Sequence, residues 1–465
     1  LAETIRLVHS ALSSLNEQQL DTTQRFDCLE IYRPTVLRLF ETLEPLRMRQ
    51  LSMSRAQRRE TISGASDLFS SQASGYKLVL MQLYEQASPG EGVDMFGSAV
   101  NRAVEALANM LHDCFRFYRT VPTVLVSELH QLYRLARRAG LLEVSLTDAE
   151  GQPGLTTTML YKCSMLLSLT DPGRRAEGEI DQLAEVCRAH AGTCRIVQGG
   201  NWNGSGDGLF LLDIAGEKLP RPCTGLTAPV TTGEPYILDT TDMQTALRRR
   251  IAGIPALVRL RSPEAIMLQH LMTGERGPGL RREERRRDDR RVGLHSGLEN
   301  IHAWLLQRAG KPATAAAPLE CRVLDSSTGG LKLQWQAGGA GDARVGDLLG
   351  VTEGRAGQET LKLASIRSLR VLEAGALEAG VALISGSVAA VYCSLPEAAD
   401  ETALQALFLP AEEAEDIGAT LITTGGVYEE GRALLIEVGG REVRARAGRL
   451  VSDSPVYERF EFVAE

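Results

Sequence analysis

The spacing of apolar residues changes period once along this chain, and that change decides what each half can become. From residue 1 to about 145, apolar side chains recur every three or four positions. Val100, Val104, Leu107, Leu111, Cys114 and Tyr118 form one stripe, with Asn101, Arg102, Glu105 and Arg116 facing away from it; Leu125, Leu129, Leu132 and Ala136 form another. A repeat near 3.6 is the α-helical period and an apolar stripe must be covered, so these residues predict a helical bundle. Pro122 reads as the turn between the two helices, and Gly140, just past Arg137 and Arg138, as a stop. After Val292 the period falls to two. Cys321 and Val323, then Leu331, Leu333 and Trp335, then Leu361 and Leu363 alternate with polar residues between glycine turns, the pattern of a small antiparallel barrel. Five more segments (Leu404 to Leu409, Ala419 to Thr423, Leu434 to Val438, Val443 to Leu450, Val456 to Val463) predict a second all-β unit or an extension of the first.

The middle is mixed. Helical pieces at Met159 to Leu169, Glu179 to His190 and Thr241 to Arg250 flank strand candidates at Arg195 to Val197, Leu209 to Ile214 and Tyr236 to Leu238. Ser262 with Pro263 reads as a helix start and Gly274 as its end. The expected architecture is therefore multidomain α + β: a helical bundle over 1–145, a mixed α/β region over 150–274, a linker and arginine arm over 275–291, a β-barrel over 292–394 and a further β-rich unit over 395–465.

Bulk properties narrow the function. In 465 residues, 43% are hydrophobic, 24% are charged and the net charge is −8, so a general coat of nucleic acid is disfavoured and any polyanion site must be local. No apolar run is long enough to span a membrane, and the opening residues carry no signal-peptide pattern. Eight scattered cysteines without a CxxC pair read as buried thiols in a reducing cytoplasm. Catalysis finds no support. Gly204, Gly206 and Gly208 precede a strand where a phosphate loop should follow one, so they read as a turn. His9, His112 and His130 lie on helix patterns without a phosphoacceptor motif, and His295 and His302 lack zinc spacing. The chain is read as a non-enzyme with no metal and no cofactor.

One charge run stands out. Residues 281–291 hold seven arginines and four acids in eleven positions, and Asp325-Ser-Ser-Thr-Gly-Gly330 lies downstream between two apolar strands. A solvated, internally paired linker is the bland reading of the run alone. Together, the two segments resemble the PilZ domain, a small bacterial β-barrel that binds cyclic di-GMP and carries RxxxR before its first strand and [DN]xSxxG in a later strand turn. Arg287-Asp-Asp-Arg-Arg291 followed by Val292, and Asp325-x-Ser327-x-x-Gly330 followed by Leu331, match in order and context, Arg286 matches the extra arginine often found ahead of the pair, and Arg286 with Arg290 is an alternative register. The resemblance covers about residues 281–394.

That resemblance implies a site of Arg286, Arg287, Arg291, Asp325, Ser327 and Gly330. A guanidinium fork holds a phosphate or the O6/N7 edge of guanine, a carboxylate and a hydroxyl bond a guanine edge, and Gly330 would permit the turn and the ligand's close approach. It implies a cytoplasmic bacterial cyclic di-GMP receptor. Binding would be coupled to a protein partner or a second copy through the helical module, with an output of the surface-attachment, motility or biofilm type. The alternatives are a PilZ-like scaffold that binds protein and no nucleotide, or a nucleic-acid binder using the arginine run.

Overall fold

The computed structural model describes the chain apart from residues 43–54, 87–92, 148–152, 177, 199–205, 224–235, 256–258, 260–261, 273–284, 337–342, 355–357, 373–374, 386, 397–402, 412–416, 439 and 455. The linker expected at 275–280, the helix end expected at Gly274, residues 281–284 of the arginine arm and Gly204 thus lie outside the described residues. The chain divides into two compact units, one of residues 1–172 and 177–280, the other of 173–176 and 281–465.

Among the described residues the first unit opens with five long helices: α1 (Ala2–Glu17), α2 (Thr22–Glu41), α3 (Arg55–Gln86), α4 (Val93–Arg116) and α5 (Thr123–Arg138). Asp21 caps α2 by accepting from the Gln24 amide, and α5 ends at Gly140, whose φ of 72° suits a helix stop. The stripe Val100, Val104, Leu107, Leu111 and Cys114 is buried as its period predicts. The face opposite is not all solvent, however. Asn101 and Arg102 are also buried, because α4 is packed on several sides. Asn101 donates to the carbonyls of Val144 and Leu155, and Arg102 pairs with Glu30 at 3.1 Å and Glu105 at 3.3 Å. Arg33 adds a bond of 2.8 Å to Glu105, so every buried charge here has a partner.

The helices α6 (Thr157–Ser168), α7 (Glu179–His190), α8 (Thr241–Ala252) and α9 (Pro263–Met272) follow, with an antiparallel sheet in the order β1-β4-β2-β3. Its strands are β1 (Arg195–Gln198), β2 (Leu209–Leu212), β3 (Arg221–Pro222) and β4 (Tyr236–Asp239). Ser262 caps α9 through the Ala265 amide. One apolar cluster runs from Ile5 through Leu129 and Phe210 to Leu271, so the bundle and the mixed region share a core. His130 is wholly buried with both ring nitrogens engaged, at 2.7 Å to the Tyr161 hydroxyl and 3.0 Å to the Lys218 carbonyl, the arrangement of a packed histidine.

The second unit holds two six-stranded antiparallel barrels. The first is built from β6 (Arg291–Ser296), β7 (Leu319–Ser326), β8 (Gly330–Gln336), β9 (Leu348–Glu353), β10 (Thr360–Val371) and β11 (Ala376–Ser385), closed by pairing of β7 with β8, and a two-residue strand β5 (Arg286–Arg287) extends it. The second closes in the order β12-β13-β14-β17-β16-β15, from β12 (Ala389–Ser394), β13 (Leu404–Leu409), β14 (Thr420–Thr423), β15 (Ala433–Val438), β16 (Arg441–Asp453) and β17 (Glu458–Ala464). The apolar stretch from Val381 to Cys393 belongs to two strands, β11 and β12, which serve different barrels. Strand β12 pairs with β13 and β15, so the first barrel ends at Ser385 and not near 394.

A helix, α10 (Leu298–Arg308), stands where the sequence reading expected only strands. It follows β6 through Gly297, whose φ of 83° turns the chain sharply. Its buried Leu298 and Ile301 cluster with Leu348 and Leu363 of the first barrel and Leu407, Leu409 and Ile422 of the second, which locks the barrels together.

Candidate functional site

The arginine arm is built onto the edge of β7. In the antiparallel ladder Arg286 faces Ser326 and Arg287 faces Asp325. The Asp288 amide donates to the Leu324 carbonyl, the Val323 amide donates to the Arg290 carbonyl, and β6 then resumes with Arg291 facing Arg322. The arm and the first barrel strand are thus one length of chain along β7, interrupted by an irregular turn at 288–290. This places Arg286 and Arg287 beside the polar turn that follows Ser326.

Each expected site residue has a definite place. Arg286 and Arg287 are exposed, and among the described residues neither guanidinium has a carboxylate partner. Asp325 is half-buried and accepts from Arg285 Nη1 at 2.6 Å. Ser327 sits in the turn, its amide donating to the Gly330 carbonyl at 2.9 Å and its hydroxyl contacting the same oxygen at 3.4 Å. Packing within the sheet requires Gly330 to lack a side chain. A Cβ there would lie 2.6 Å from the Val381 carbonyl oxygen, because Gly330 opens β8 against Ala382 of β11.

Arg291 differs from its expected neighbours. It forms a close ion pair with Glu320, both largely exposed, a few residues along the strand from the turn. The alternative register fares similarly, for Arg290 pairs with Asp288 and with Glu353, each at 3.2 Å. The backbone register therefore sets Arg286 opposite Ser326 and Arg287 opposite Asp325, on alternate faces of β5, while Arg290 pairs with Asp288 and Glu353 and Arg291 with Glu320.

Three contributors escaped the sequence reading. Arg285 was one arginine in a crowded run. Ser326, beside the motif serine, donates to Asp288 Oδ2 at 3.1 Å. Glu353 is remote in sequence and reaches the arm only because β9 lies next to β6. Asp288 also accepts from the Arg290 amide at 3.2 Å. Burial alone would raise its pKa, but these hydrogen bonds and the charge of Arg290 outweigh that and hold the carboxyl below its usual range.

The chemistry available is specific. Two free guanidinium forks beside a carboxylate and serine hydroxyls can meet a phosphodiester and a purine edge together: the forks take phosphate oxygens or O6/N7, and the carboxylate accepts from ring N–H groups. Among the described residues no group of His, Cys, Asp and Glu is arranged to hold a metal ion.

Comparison with known proteins finds matches on either side of this site. Residues 1–199 match the family model described as "Cyclic-di-GMP receptor FimW, N-terminal domain", and residues 393–464 match "FimW C-terminal beta-barrel domain". Both matches are to domains of one receptor family, FimW. The chain is also 24% identical to the Cyclic-di-GMP receptor FimW of Pseudomonas aeruginosa, over an alignment of 553 positions covering 99% of this chain and 88% of that protein. The FimW C-terminal match falls on the second barrel, from the end of β12 to the end of β17. The candidate site lies between the two FimW matches, on the first barrel. FimW is described as a receptor.

Proposed function

We propose that this chain is a bacterial cyclic di-GMP receptor whose PilZ-like first barrel holds the ligand between β5 and the turn of residues 325–330. The observation that carries this is the pairing of Arg286 and Arg287, both without acidic partners among the described residues, directly opposite Ser326 and Asp325. The receptor description of the matched family supplies the ligand. Phosphate and guanine are read at one place, so neither a mononucleotide nor an adenine dinucleotide satisfies both halves of the site.

Binding is coupled onward through continuous structure. The arm runs into β6, β6 into Gly297 and α10, and α10 packs on β12 and β13 of the second barrel. A ligand that orders the arm differently in two arrangements shifts the balance between them. The helical unit is proposed to take a protein partner or a second copy of the chain; Ile31, Met81 and Tyr84 stand exposed on its helices. All eight cysteines are free thiols, which suits a reducing cytoplasm, and among the described residues no helix is long and apolar enough to cross a membrane.

Calorimetric titration of the intact chain with cyclic di-GMP, cyclic di-AMP, GTP and GMP tests the proposal. Saturable binding of cyclic di-GMP alone, weakened in Asp325→Ala, is expected. Equal binding of cyclic di-AMP would overturn guanine recognition by Asp325.

A further inference from the structure

The two acids inside the arm invite a simple electrostatic expectation: a carboxylate among arginines lowers the positive potential that attracts a phosphodiester, so removing either one should tighten binding. The geometry separates them. Asp289 is exposed and its side chain makes a surface ion pair with Arg322. Asp288 is mostly covered, and its carboxylate is bonded on three sides. Oδ1 accepts from the Arg290 amide two residues on, the local turn that aspartate characteristically forms; Oδ2 accepts from the Ser326 hydroxyl; and Arg290 Nη1 lies 3.2 Å from Oδ2. Ser326 is the residue that faces Arg286 in the ladder. The irregular turn between β5 and β6 is therefore pinned to β7 at the point where the two ligand-facing arginines begin.

We propose that Asp288 is a positioning residue that fastens the arginine arm to β7 through Ser326 and the Arg290 amide, so that its removal weakens cyclic di-GMP binding although it subtracts a negative charge from a site for an anion. The inference rests on the receptor reading above and adds to it an opposite role for two adjacent aspartates. Without the Asp288 side-chain bonds the arm keeps its two-residue ladder and the backbone bonds of Asp288 to Leu324 and of Val323 to Arg290, but the turn at 288–290 loses its fastening to Ser326, and more of the ordering of Arg286 and Arg287 must be supplied by the ligand. Among the described residues Asp289 bonds the Arg322 side chain and no backbone group, so its loss leaves the turn in place.

The test is titration of the intact chain and its variants with cyclic di-GMP, with thermal melting alongside. Asp288→Ala is expected to weaken binding by about tenfold, the loss of hydrogen bonds to a charged group. Asp288→Asn should restore most of the affinity, because its carbonyl oxygen still accepts from the Arg290 amide and its NH2 donates to Ser326 Oγ. Ser326→Ala should weaken binding less, and the Asp288→Ala/Ser326→Ala pair should lose less than the sum of the singles. Asp289→Ala should bind at least as tightly as the native chain. Native or tighter binding by Asp288→Ala, or equal weakening by Asp289→Ala, would overturn the inference. Failure of the native chain to bind would overturn the receptor reading itself and this inference with it.

Discussion

Replacing Gly330 with alanine separates the part of the D-S-S-T-G-G turn that builds the barrel from the part that faces the ligand. A Cβ at this position lies 2.6 Å from the Val381 carbonyl oxygen and 3.9 Å from the Ala382 Cα, and the first distance is several tenths of an ångström inside ordinary contact. The obstructing atom is backbone in the neighbouring strand, so no rotamer relieves the clash; β8 and β11 must move apart where Gly330 faces Ala382. Overpacking of this kind costs about 1–3 kcal/mol, and the lower chain entropy of unfolded alanine offsets about 0.4–1 kcal/mol of it. A net loss of about 1–2 kcal/mol is expected, a drop of about 3–6 °C in the melting of this unit. Trp335, buried on the same strand, gives a fluorescence probe. Asp325→Ala, which removes a part-exposed ion pair, should stay within about 1 kcal/mol of the native stability. Unchanged melting of Gly330→Ala together with lost cyclic di-GMP binding would refute the reasoning, because the glycine would then be serving the ligand and not the sheet.

Two further outcomes concern His112 and the charge of the arm. Burial, with Arg116 and Arg188 nearby, depresses the His112 pKa to about 4 despite Asp181 3.1 Å away, so the unfolded chain takes up a proton near pH 6.5 that the folded chain refuses. Its stabilising contribution is complete above about pH 6.5 and is lost as pH falls toward 4, by up to about 3 kcal/mol, so the urea midpoint of His112→Gln should depend less on pH across that window. With Arg285, Arg290 and Arg291 paired to Asp325, Asp288, Glu353 and Glu320, only Arg286 and Arg287 among the described arginines of the arm are left for a phosphate backbone. Binding to a mixed-sequence duplex should therefore be weak at physiological salt, and tight, steeply salt-dependent binding indifferent to cyclic di-GMP would favour a nucleic-acid role.

What could be read from sequence was whatever is local. The period of Leu125, Leu129, Leu132 and Ala136 gave α5, and the alternation from Leu404 to Val463 gave five strands of the second barrel, because a helix face and a strand face are written in consecutive residues. Helix α10 was hidden by the polar, glycine-flanked stretch before it, although Leu298 and Ile301 carry a helical spacing. Strand β9 reads Leu-Leu-Gly-Val-Thr-Glu, an apolar run without alternation, since nearly all of it is buried. Ownership of β12 is a matter of pairing with β13 and β15, and pairing across the chain leaves no local trace. The site divides the same way. The motif residues were visible in order, but that Glu320 and Glu353 occupy Arg291 and Arg290 depends on strand register, as does the role of Ser326.

The central claim is that Arg286 and Arg287, and not Arg290 and Arg291, hold the ligand. Calorimetric titration of the intact chain with cyclic di-GMP, comparing Arg286→Ala/Arg287→Ala with Arg290→Ala/Arg291→Ala, tests it most directly. Each free guanidinium that bonds the ligand is worth about 2 kcal/mol, about 30-fold in affinity, so the first double variant should lose measurable binding while the second retains most of it. Native affinity in the Arg286→Ala/Arg287→Ala variant, or loss of binding confined to Arg290→Ala/Arg291→Ala, would contradict the account.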